Sequence, residues 1–396
     1  MEVIVYLLCH LHTSVAALPR PVKRPTNDER RDPAMRCLKL PSMSLALGLL
    51  VLSATVHAAP FAYITNAGDN TVSVIDTATN TVVTTIVVGT GPFGVTVHPN
   101  GRTVYTSNLY DNTVSVIDTT SNSVLATVAV GNWPFGLAVL PDGSALYVAN
   151  FLDSSVSVID LATNTVVDTI AGGTNARGVA VHPNGSAVYV TNTNGDSLSV
   201  IDPTTNLVVA TVPVGSLPRG VTVHPDGSKV YVTNNAGHTV SVIATASNTV
   251  VATIAVGNGP IGVAVHPDGG DVYVGNRDSA TVSIIDSTTN TVVATTAVVT
   301  NPRGVMVHPD GKAVYVANAV SNSVSIIDTT TRTVVKTVAV GSTPFAFGQF
   351  IGPIDSDSDG VPDKLDNCPL IPNPGQEVGA NGGSRGSACV GLPPGC

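Results

Sequence analysis

The sequence predicts an all-β protein, a seven-bladed β-propeller with four-stranded antiparallel blades. The first observation is a Tyr-x-x-Asn motif that recurs every 42 residues and opens at Tyr63, Tyr105, Tyr147, Tyr189, Tyr231, Tyr273 and Tyr315. A fixed period near 40 residues with strand-like content is typical of propellers. The second observation is an apolar–polar alternation of period two with many β-branched residues, which disfavours a helical repeat. The third is composition: charged residues are 11% of the chain, and the abundant Thr, Ser, Asn and Gly suit β-surface and turns.

One repeat, residues 177–215, shows the predicted blade. Strand A is predicted at 178–182, strand B at 187–192, strand C at 197–202 and strand D at 207–214. The turn between strands A and B is Pro-Asn-Gly, in which Pro fixes φ at the first corner and Gly accepts the positive φ that follows. About ten residues for each strand with its turn is the length expected in a propeller blade.

The two ends of the repeat region predict how the ring closes. The first motif, at Tyr63, has no strand A before it, and the segment 344–350 occupies an A position with no strand B after it. We therefore expect the C-terminal strand A to complete the blade that strands B, C and D begin at the N-terminus. Such closure removes the open edge of the sheet.

Composition divides the chain into four regions. They are a patternless N-terminal segment at 1–34, a secretory signal peptide at 35–59, the propeller at 60–352 and an aspartate- and cysteine-containing tail at 353–396. The first segment is charged and contains proline, so the natural start is predicted at Met35 or Met43. The predicted signal peptide has basic residues, an apolar run and small residues before the cleavage point. An uncleaved anchor is the alternative, but the run is short for a membrane span, and no transmembrane segment is expected after cleavage.

The charge and the cysteines indicate an exported protein that does not bind nucleic acid. The formal net charge is −9, and an acidic surface disfavours a polyanionic partner. Two cysteines, Cys9 and Cys37, precede the propeller, and three, Cys368, Cys389 and Cys396, follow it. A cysteine-free body with a small cysteine-containing module is typical of secreted proteins. We therefore expect a secreted, periplasmic or cell-surface location.

Three recurring segments resemble the YVTN family of β-propeller repeats. They are Tyr189-Val190-Thr191-Asn192, Ser199-Val200-Ile201-Asp202 and His224-Pro225-Asp226-Gly227, and the resemblance covers roughly residues 61–351. It implies the propeller fold and an exported protein of the surface-layer type. It implies little about the ligand, because this fold hosts many unrelated activities. Related seven-bladed propellers include lactonases and streptogramin lyases, whose catalytic residues do not map onto positions here.

Polar residues that recur at one position of most blades are interpreted as structural. Histidines precede the A–B turn at His98, His182, His224, His266 and His308, and aspartates end strand C at Asp76, Asp118, Asp160, Asp202, Asp286 and Asp328. Equivalent positions on different blades are too far apart to share one metal ion at ligand distances of about 2 Å. We expect the histidines to stabilise turns by hydrogen bonds and the aspartates to cap the C–D turns.

Positions at which the repeats differ are the candidates for a function. One equivalent position in the D–A connections holds Phe93, Phe135, Arg177, Arg219, Ile261, Arg303 and Phe345. The D–A connections and the B–C loops are expected on one rim of the disc. There Tyr110, Trp133 and Phe151 would join the phenylalanines on three neighbouring blades, while Arg277 would join the arginines on the other side.

This rim is predicted to bind a protein or a glycan. Clustered exposed aromatic residues mark interaction sites, and their rings can stack on sugars. The arginines could hold the carboxylates or sulfates of an acidic ligand. The alternative is structural: the phenylalanines plug the channel mouth and the arginines pair with nearby aspartates.

The tail carries the sharpest chemical motif of the chain. Carboxylates stand at positions 1, 3, 5, 9 and 12 of a twelve-residue loop, namely Asp355, Asp357, Asp359, Asp363 and Asp366. With Gly360 at position 6 and the backbone carbonyl of Val361 at position 7, this is the spacing of an EF-hand-like calcium loop. Ca²⁺ is therefore the predicted cofactor, although Asp at position 12 is shorter than the usual Glu. A disordered acidic linker is the alternative.

The segment from Asp355 to Cys389 resembles a thrombospondin type 3 repeat. The resemblance implies calcium binding by the loop and a disulfide between Cys368 and Cys389. It is strongest in the first half, because the stretch 379–383 has glycines where the family has further aspartates. Cys396 is left over, and either pairs between chains or marks a truncated gene model.

These features predict an exported, non-enzymatic scaffold with a calcium-stabilised tail. The rival interpretation is a lactonase- or lyase-like enzyme that uses the central cavity of the propeller. Such an enzyme would need distinct Glu, Asp or His residues at the channel mouth, where the D–A connections carry Arg and Phe instead. A third interpretation is packing in a surface layer.

Overall fold

The computed structural model describes residues 60–355 together with residues 362 and 363. Within this part of the chain, 27 strands form seven antiparallel sheets, and the helical content is a single 3-10 turn, Thr193–Gly195. The predicted fold class, a seven-bladed propeller with four-stranded blades, is confirmed. No helix among the described residues is long and apolar enough to cross a membrane.

The first four blades run from β1 to β15. Blade 1 contributes β1 (Phe61–Asn66), β2 (Thr71–Asp76) and β3 (Thr81–Val87). Blade 2 contains β4 (Pro92–Val97), β5 (Thr103–Asn108), β6 (Thr113–Asp118) and β7 (Ser123–Ala129). Blade 3 contains β8 (Pro134–Val139), β9 (Ala145–Asn150), β10 (Ser155–Asp160) and β11 (Thr165–Ala171). Blade 4 contains β12 (Ala176–Val181), β13 (Val188–Asn192), β14 (Ser197–Asp202) and β15 (Leu207–Pro213).

The remaining three blades repeat the same order of strands from A to D. Blade 5 contains β16 (Pro218–Val223), β17 (Lys229–Asn234), β18 (Thr239–Ala244) and β19 (Thr249–Ala255). Blade 6 contains β20 (Pro260–Val265), β21 (Asp271–Asn276), β22 (Thr281–Asp286) and β23 (Thr291–Ala297). Blade 7 contains β24 (Pro302–Val307), β25 (Ala313–Asn318), β26 (Ser323–Asp328) and β27 (Val334–Ala339). The predicted strands of residues 177–215 end within two residues of those observed in blade 4.

The hydrophobic core lies between neighbouring blades. In blade 5, Tyr231 and Val242 pack in one cluster with Val272 and Val274 of blade 6. Strands B and C of each blade are almost wholly buried, whereas strand D is largely exposed, as in β19. The alternation along the strands therefore places apolar side chains between stacked sheets, and this burial stabilises the ring.

Glycines allow neighbouring blades to approach each other at the axis. A Cβ on Gly220 would lie 2.0 Å from the carbonyl oxygen of Ile261 in the next blade, and one on Gly262 would lie 2.2 Å from that of Arg303. Real side chains do not make contacts this short, so these positions require glycine because the backbones meet there.

The recurring histidines join blades. The Nε2 of His182 donates to the carbonyl oxygen of Gly227 in the A–B turn of the next blade, at 3.0 Å. His98, His224 and His266 make equivalent bonds, and His308 of blade 7 contacts Thr77 of blade 1 at 3.1 Å. The predicted stabilisation of turns is confirmed, since the Nδ1 of His182 accepts a hydrogen bond from the amide of Asn184 in its own turn at 3.3 Å. The Nε2 bond to the following blade was not predicted.

The recurring aspartates cap turns, as predicted. The Oδ1 of Asp286 accepts hydrogen bonds from the backbone amides of Thr288 at 3.0 Å and Thr289 at 2.7 Å. The bond from the amide of Thr289 is first among the causes that lower the pKa of Asp286. Equivalent caps are found at Asp76, Asp118, Asp160, Asp202 and Asp328.

The ring closes through the segment 344–351, as predicted, with one difference. The amide of Tyr63 donates to Phe350 at 2.8 Å, and the amide of Phe345 donates to Thr65 at 3.0 Å, so the segment lies beside β1. It pairs through isolated bridges rather than as a regular strand, because φ is 46° at Ala346 and 131° at Gly348. It also pairs in parallel with β4, and thereby links blade 1 to blade 2.

Candidate functional site

The rim positions stand at the second residue of strand A, where the strand bulges. In blade 2, Pro92 pairs with Asn108, but the next regular pair is Val95 with Thr106. Phe93 therefore lies in the irregular stretch. The same irregularity recurs between strands A and B in blades 3 to 7. A bulge re-aims a side chain, and here it lets rim residues of different blades meet.

Hydroxyl groups of the Tyr-x-x-Asn motifs hold the backbone of four rim residues. The donors stand at the third position of the motif in one blade, and the acceptors are rim carbonyls of the next blade. The pairs are Thr65 to Phe93 (2.9 Å), Ser107 to Phe135 (2.7 Å), Thr191 to Arg219 (2.9 Å) and Thr233 to Ile261 (2.8 Å). These bonds fix rim residues on the scaffold rather than leaving them on free loops.

A hydrophobic cluster, here called the plug, joins side chains of several blades under the rim. Its buried members are Phe93, Leu109, Phe135, Ile261 and Phe347, with Phe151 and Phe345 packed against them. The ring of Phe93 stacks on that of Phe345 with centroids 4.2 Å apart and meets Phe135 edge-on at 4.6 Å. Phe93 and Phe135 are 5% and 6% exposed, so these two are packing residues rather than exposed contacts.

Phe347 is a member of the plug that the sequence analysis missed. Phe347 belongs to the closing segment, which reads Phe-Ala-Phe where the equivalent stretch of blade 2 reads Phe-Gly-Val. This substitution of a second aromatic residue for valine is the one signal in the sequence that could have identified it.

Tyr110 and Trp133 form the exposed end of the aromatic row. They are 63% and 38% exposed, respectively. The ring of Trp133 meets that of Tyr110 edge-on at 6.4 Å and stacks on that of Phe151 at 6.5 Å. Phe151 in turn meets Phe135 at 5.2 Å. A continuous row of rings therefore runs from the solvent at Tyr110 into the plug.

The backbone of Trp133 adopts a left-handed conformation that bulky residues rarely adopt. Its φ is 55°, and its amide is held by the Oδ1 of Asn112 at 3.0 Å. The equivalent residues of the other blades are Gly91, Asn175, Leu217, Gly259, Asn301 and Thr343. Gly and Asn tolerate this region, whereas a large side chain there costs on the order of 1 kcal/mol. Such strain is common at functional sites; Leu217 and Thr343 share it, and Trp133 is the aromatic residue of this series.

Four arginines occupy the other side of the rim. Arg177, Arg219 and Arg303 stand at rim positions of blades 4, 5 and 7, and Arg277 follows strand B of blade 6. The guanidinium of Arg177 lies over the ring of Phe135 at 4.3 Å, and that of Arg303 lies over Phe345 at 5.1 Å. The predicted aromatic and cationic halves therefore meet at these two stacked pairs.

The arginines differ in their polar partners. Arg277 pairs with Asp278, at 2.6 Å from Nε to Oδ1, and Arg303 donates from Nε to Asn301 at 2.6 Å. The Nε atoms of Arg177 and Arg219 are buried without a hydrogen-bond acceptor among the described residues. Among the described residues, the alternative of arginines in ion pairs with aspartates thus describes Arg277 but not Arg177, Arg219 or Arg303.

Burial and mutual repulsion affect the ionisation of these arginines. Burial, followed by repulsion from Arg219, Arg303 and Arg277, lowers the pKa of Arg177 well below its usual range. Burial is also the main cause that lowers the pKa of Arg303 to about 10. Keeping these arginines protonated on the cationic side of the rim therefore costs free energy.

A cavity of about 630 Å³ lies along the axis of the propeller, within the ring of inner strands. Strands A and the prolines of the A–B turns line it, and Phe347 is the plug residue that borders it. Its one titratable lining residue in the described part of the chain is His98, whose Nε2 lies 3.2 Å from the carbonyl oxygen of Gly143. The described residues also contain no group of three or more His, Cys, Asp or Glu arranged to hold a metal ion.

Two of the candidate calcium ligands lie among the described residues. They are Asp355 and Asp363, and the amide of Asp363 donates to the carbonyl oxygen of Ile354 at 2.8 Å, which brings the two ends of this stretch together. The remaining candidates, Asp357, Asp359, Val361 and Asp366, lie outside the described residues, as do Cys368 and Cys389 and the predicted signal peptide. The metal site, the disulfide and the signal peptide stay predictions.

Three protein-family models match parts of the chain. Residues 137–256 match the seven-bladed β-propeller lactonases, and residues 264–350 match the YNCE-like β-propellers. Residues 354–376 match the thrombospondin type 3 repeat, a repeat of the calcium-binding type that is typical of extracellular proteins. None of the curated proteins compared with the chain matches it significantly.

Several solved structures share the propeller. A chain from the structure of hydrazine synthase of Kuenenia stuttgartiensis is 26% identical, with a TM-score of 0.62, and the match covers 69% of this chain and 96% of that one. A protein of unknown function from Desulfotomaculum acetoxidans is 18% identical, with a TM-score of 0.64, covering 71% of this chain and 97% of that one. A candidate 6-phosphogluconolactonase from Bacteroides uniformis is also 18% identical, with a TM-score of 0.64, covering 72% and 98%.

The matches agree with the geometry at the level of fold. The likenesses at 18% identity show the propeller fold alone, and the two propeller models each cover less than half of the chain. The surface-layer type expected from the YVTN resemblance stays a prediction. The chain is thus a seven-bladed β-propeller followed by a segment similar to a thrombospondin type 3 repeat.

Proposed function

We propose that the chain is an exported, non-enzymatic scaffold that binds a glycan or a protein at the rim. The observation that carries the proposal is Trp133, a half-exposed aromatic residue kept in a strained backbone conformation beside Tyr110. Strain that contributes nothing to the packing of the strands is retained more readily when the side chain contacts a ligand.

A glycan fits this rim better than a protein does. Around Trp133, the large exposed apolar side chains of the rim are Trp133 itself, Tyr110, and Leu152 in the B–C loop of blade 3. That area is small beside the roughly 800 Å² that each partner buries in a stable protein–protein interface. Exposed rings next to arginines instead suit a sugar ring with an anionic substituent, because the ring provides a stacking face and the guanidinium binds the charge.

Replacing Tyr110, Trp133 and Phe151 together with alanine should weaken binding to glycans by about tenfold or more, the effect expected when aromatic anchors are removed. Retention of the full-length protein on bacterial cell-wall material and on purified polysaccharides measures this effect. The matched control replaces Leu125, Leu207 and Val251, which are exposed on outer strands D. Unchanged retention of a folded rim variant would remove the proposal.

A lactonase- or lyase-like enzyme is the second candidate. The match of residues 137–256 to the lactonase model favours it. Against it, hydrolysis usually needs a positioned general acid or base, and the described channel lining offers His98, already hydrogen-bonded to Gly143. Turnover of a sugar lactone that His98→Gln abolishes would support the enzyme and contradict the scaffold.

We also propose that the tail binds one Ca²⁺. The match to the thrombospondin type 3 repeat and the closure of the stretch between Ile354 and Asp363 support a calcium loop here. Six oxygen ligands from the proposed positions would satisfy the coordination that Ca²⁺ requires.

Replacing Asp357 and Asp359 together with alanine should abolish the calcium site in the full-length protein. The reason is that two of the alternating carboxylate ligands are lost. Calorimetric titration of both proteins with Ca²⁺ measures this loss of binding. Asp366→Glu, which restores a side chain long enough for bidentate binding at position 12, should instead tighten the site. An isotherm for the double variant that equals that of the unaltered protein would rule the loop out.

A further inference from the structure

Positive charge is distributed unevenly over the propeller. Residues 60–352 contain nine lysines and arginines against seventeen aspartates, and no glutamate. Four of the nine, Arg177, Arg219, Arg277 and Arg303, lie in consecutive blades on one side of one rim. Among the described residues, Asp278 is the one carboxylate that interacts electrostatically with these arginines. An acidic domain therefore carries a local excess of positive charge.

Arg177 is the strongest anomaly within this group. It is 7% exposed, and its guanidinium lies over the rings of Phe135 at 4.3 Å and Phe93 at 5.5 Å. No carboxylate pairs with it among the described residues. Its Nε is buried without a hydrogen-bond acceptor among the described residues, and such an unsatisfied donor costs free energy that an anion bound at the guanidinium would offset.

Two of the neighbouring arginines have side chains that are oriented by the protein. Arg303 is held by Asn301 and by the ring of Phe345, and Arg277 is held by Asp278. Arg219 has the same unsatisfied Nε as Arg177, and the carbonyl oxygen of its own rim backbone is fixed by Thr191. Guanidinium groups whose orientation is set in advance lose little entropy on binding, and their planar forks match oxyanions.

We propose that Arg177, Arg219 and Arg303 form an oxyanion subsite that takes the carboxylate or sulfate group of an acidic glycan bound at the rim. This inference rests on the proposed function, because it names the class of glycan that the rim selects. The row of rings from Tyr110 to Phe135 ends against Arg177. The packed rings of Phe151 and Phe135 therefore connect the exposed ring of Trp133 to the arginines.

The test compares Arg219→Gln and Arg303→Gln with the unaltered full-length protein. The control is Lys312→Gln, which removes the same charge from an exposed side chain in the A–B turn, at the other end of strand A. The probes are dextran sulfate, polygalacturonate, polyglutamate and, as an uncharged reference, neutral dextran, and retention is measured at constant ionic strength. We expect at least tenfold weaker binding of the two acidic polysaccharides by each rim variant. Lys312→Gln should bind them as the unaltered protein does.

Each outcome separates the subsite from the rim itself. Equal losses in Arg219→Gln and Lys312→Gln would mean attraction by net charge and would overturn the subsite. Intact binding of both acidic polysaccharides by both folded arginine variants, with loss in the Tyr110, Trp133 and Phe151 variant, would overturn the subsite and leave the proposed function standing. No binding change in any rim variant would overturn both. Preferential binding of polyglutamate over both polysaccharides would replace the glycan by an acidic peptide.

Discussion

Phe350→Ala should destabilise the propeller by about 3–5 kcal/mol, the loss typical of a fully buried phenylalanine. Phe350 is 0% exposed and belongs to a core cluster that contains Tyr63 and Ile75 of blade 1 and Val95 of blade 2. Its carbonyl oxygen also accepts the hydrogen bond from the amide of Tyr63 at 2.8 Å. One side chain therefore anchors the closing segment to the two blades that it joins.

Urea denaturation measures this loss, with Phe61→Ala as the matched control. Phe61 opens the same blade but is 39% exposed, so its replacement should cost less than about 1 kcal/mol. If closure depends on Phe350, its loss also uncovers the edge of β1, and the variant should aggregate on heating as unpaired strand edges do. Equal unfolding midpoints for Phe350→Ala and Phe61→Ala would contradict the role of the closing segment.

The strands and the closure of the ring could be predicted because their determinants are local. Alternation of period two fixes which residues face the neighbouring blade, and Pro-Asn-Gly or Pro-Asp-Gly fixes the A–B turns. The glycines of these turns, such as Gly185 with φ 78° and Gly227 with φ 77°, adopt the predicted positive φ. The N-terminal blade lacks strand A and the C-terminal end has an extra one, so the ring could close in one way.

The burial of the rim phenylalanines was one of two alternatives that the sequence left open, and the structure supports it for Phe93 and Phe135. Equivalent positions in a repeat show that side chains lie at the same level of the propeller. They do not show whether the side chains converge on the axis or face solvent. The irregular pairing after Pro92 decides this, and it depends on the contact between Gly94 and the carbonyl oxygen of Phe135 in the next blade. The stacking of Arg177 on Phe135 follows from the same convergence.

The unusual backbone of Trp133 could have been inferred from the sequence. The equivalent position is Gly or Asn in four of the seven blades, which indicates a left-handed backbone. A tryptophan in such a series is out of place, so strain could have been inferred before the structure. What the sequence did not show is the row of rings that connects Trp133 through Phe151 to the plug.

Raising the pH above 10 should unfold the propeller cooperatively, because all seven motif tyrosines are buried. Burial is the main cause that raises the pKa of Tyr105, Tyr147 and Tyr231 to about 12. It also raises the pKa of Tyr63, Tyr189, Tyr273 and Tyr315. A group whose pKa is higher in the folded state than in the unfolded state contributes stability that is fully present below pH 10. That stability is lost as the pH rises from about 10, where unfolded tyrosines ionise, to about 12.

The expected loss is large because the motif repeats. At pH 11, a tyrosine whose pKa rises from about 10 to about 12 on folding costs at most about 1.4 kcal/mol of stability. Some hydroxyl ends, such as that of Tyr147, lie in part-buried positions, so each contribution is below this limit. Seven together still amount to several kcal/mol, a large fraction of the 5–15 kcal/mol that stabilises typical domains.

Urea denaturation between pH 8 and pH 11.5, followed by tyrosinate absorbance, measures this dependence. Tyr231→Phe provides the sharpest variant, since the buried Tyr231 hydroxyl makes no hydrogen bond of standard geometry to the described residues. It should match the unaltered protein at pH 8 and exceed it at pH 11 by about 1 kcal/mol. Tyr147→Phe loses the bond to Asn206 and should be less stable at pH 8 by about 1 kcal/mol. Stability that stays constant up to pH 11, with tyrosinate absorbance rising in the folded protein, would show that the motif rings ionise in place and that their burial does not stabilise the fold.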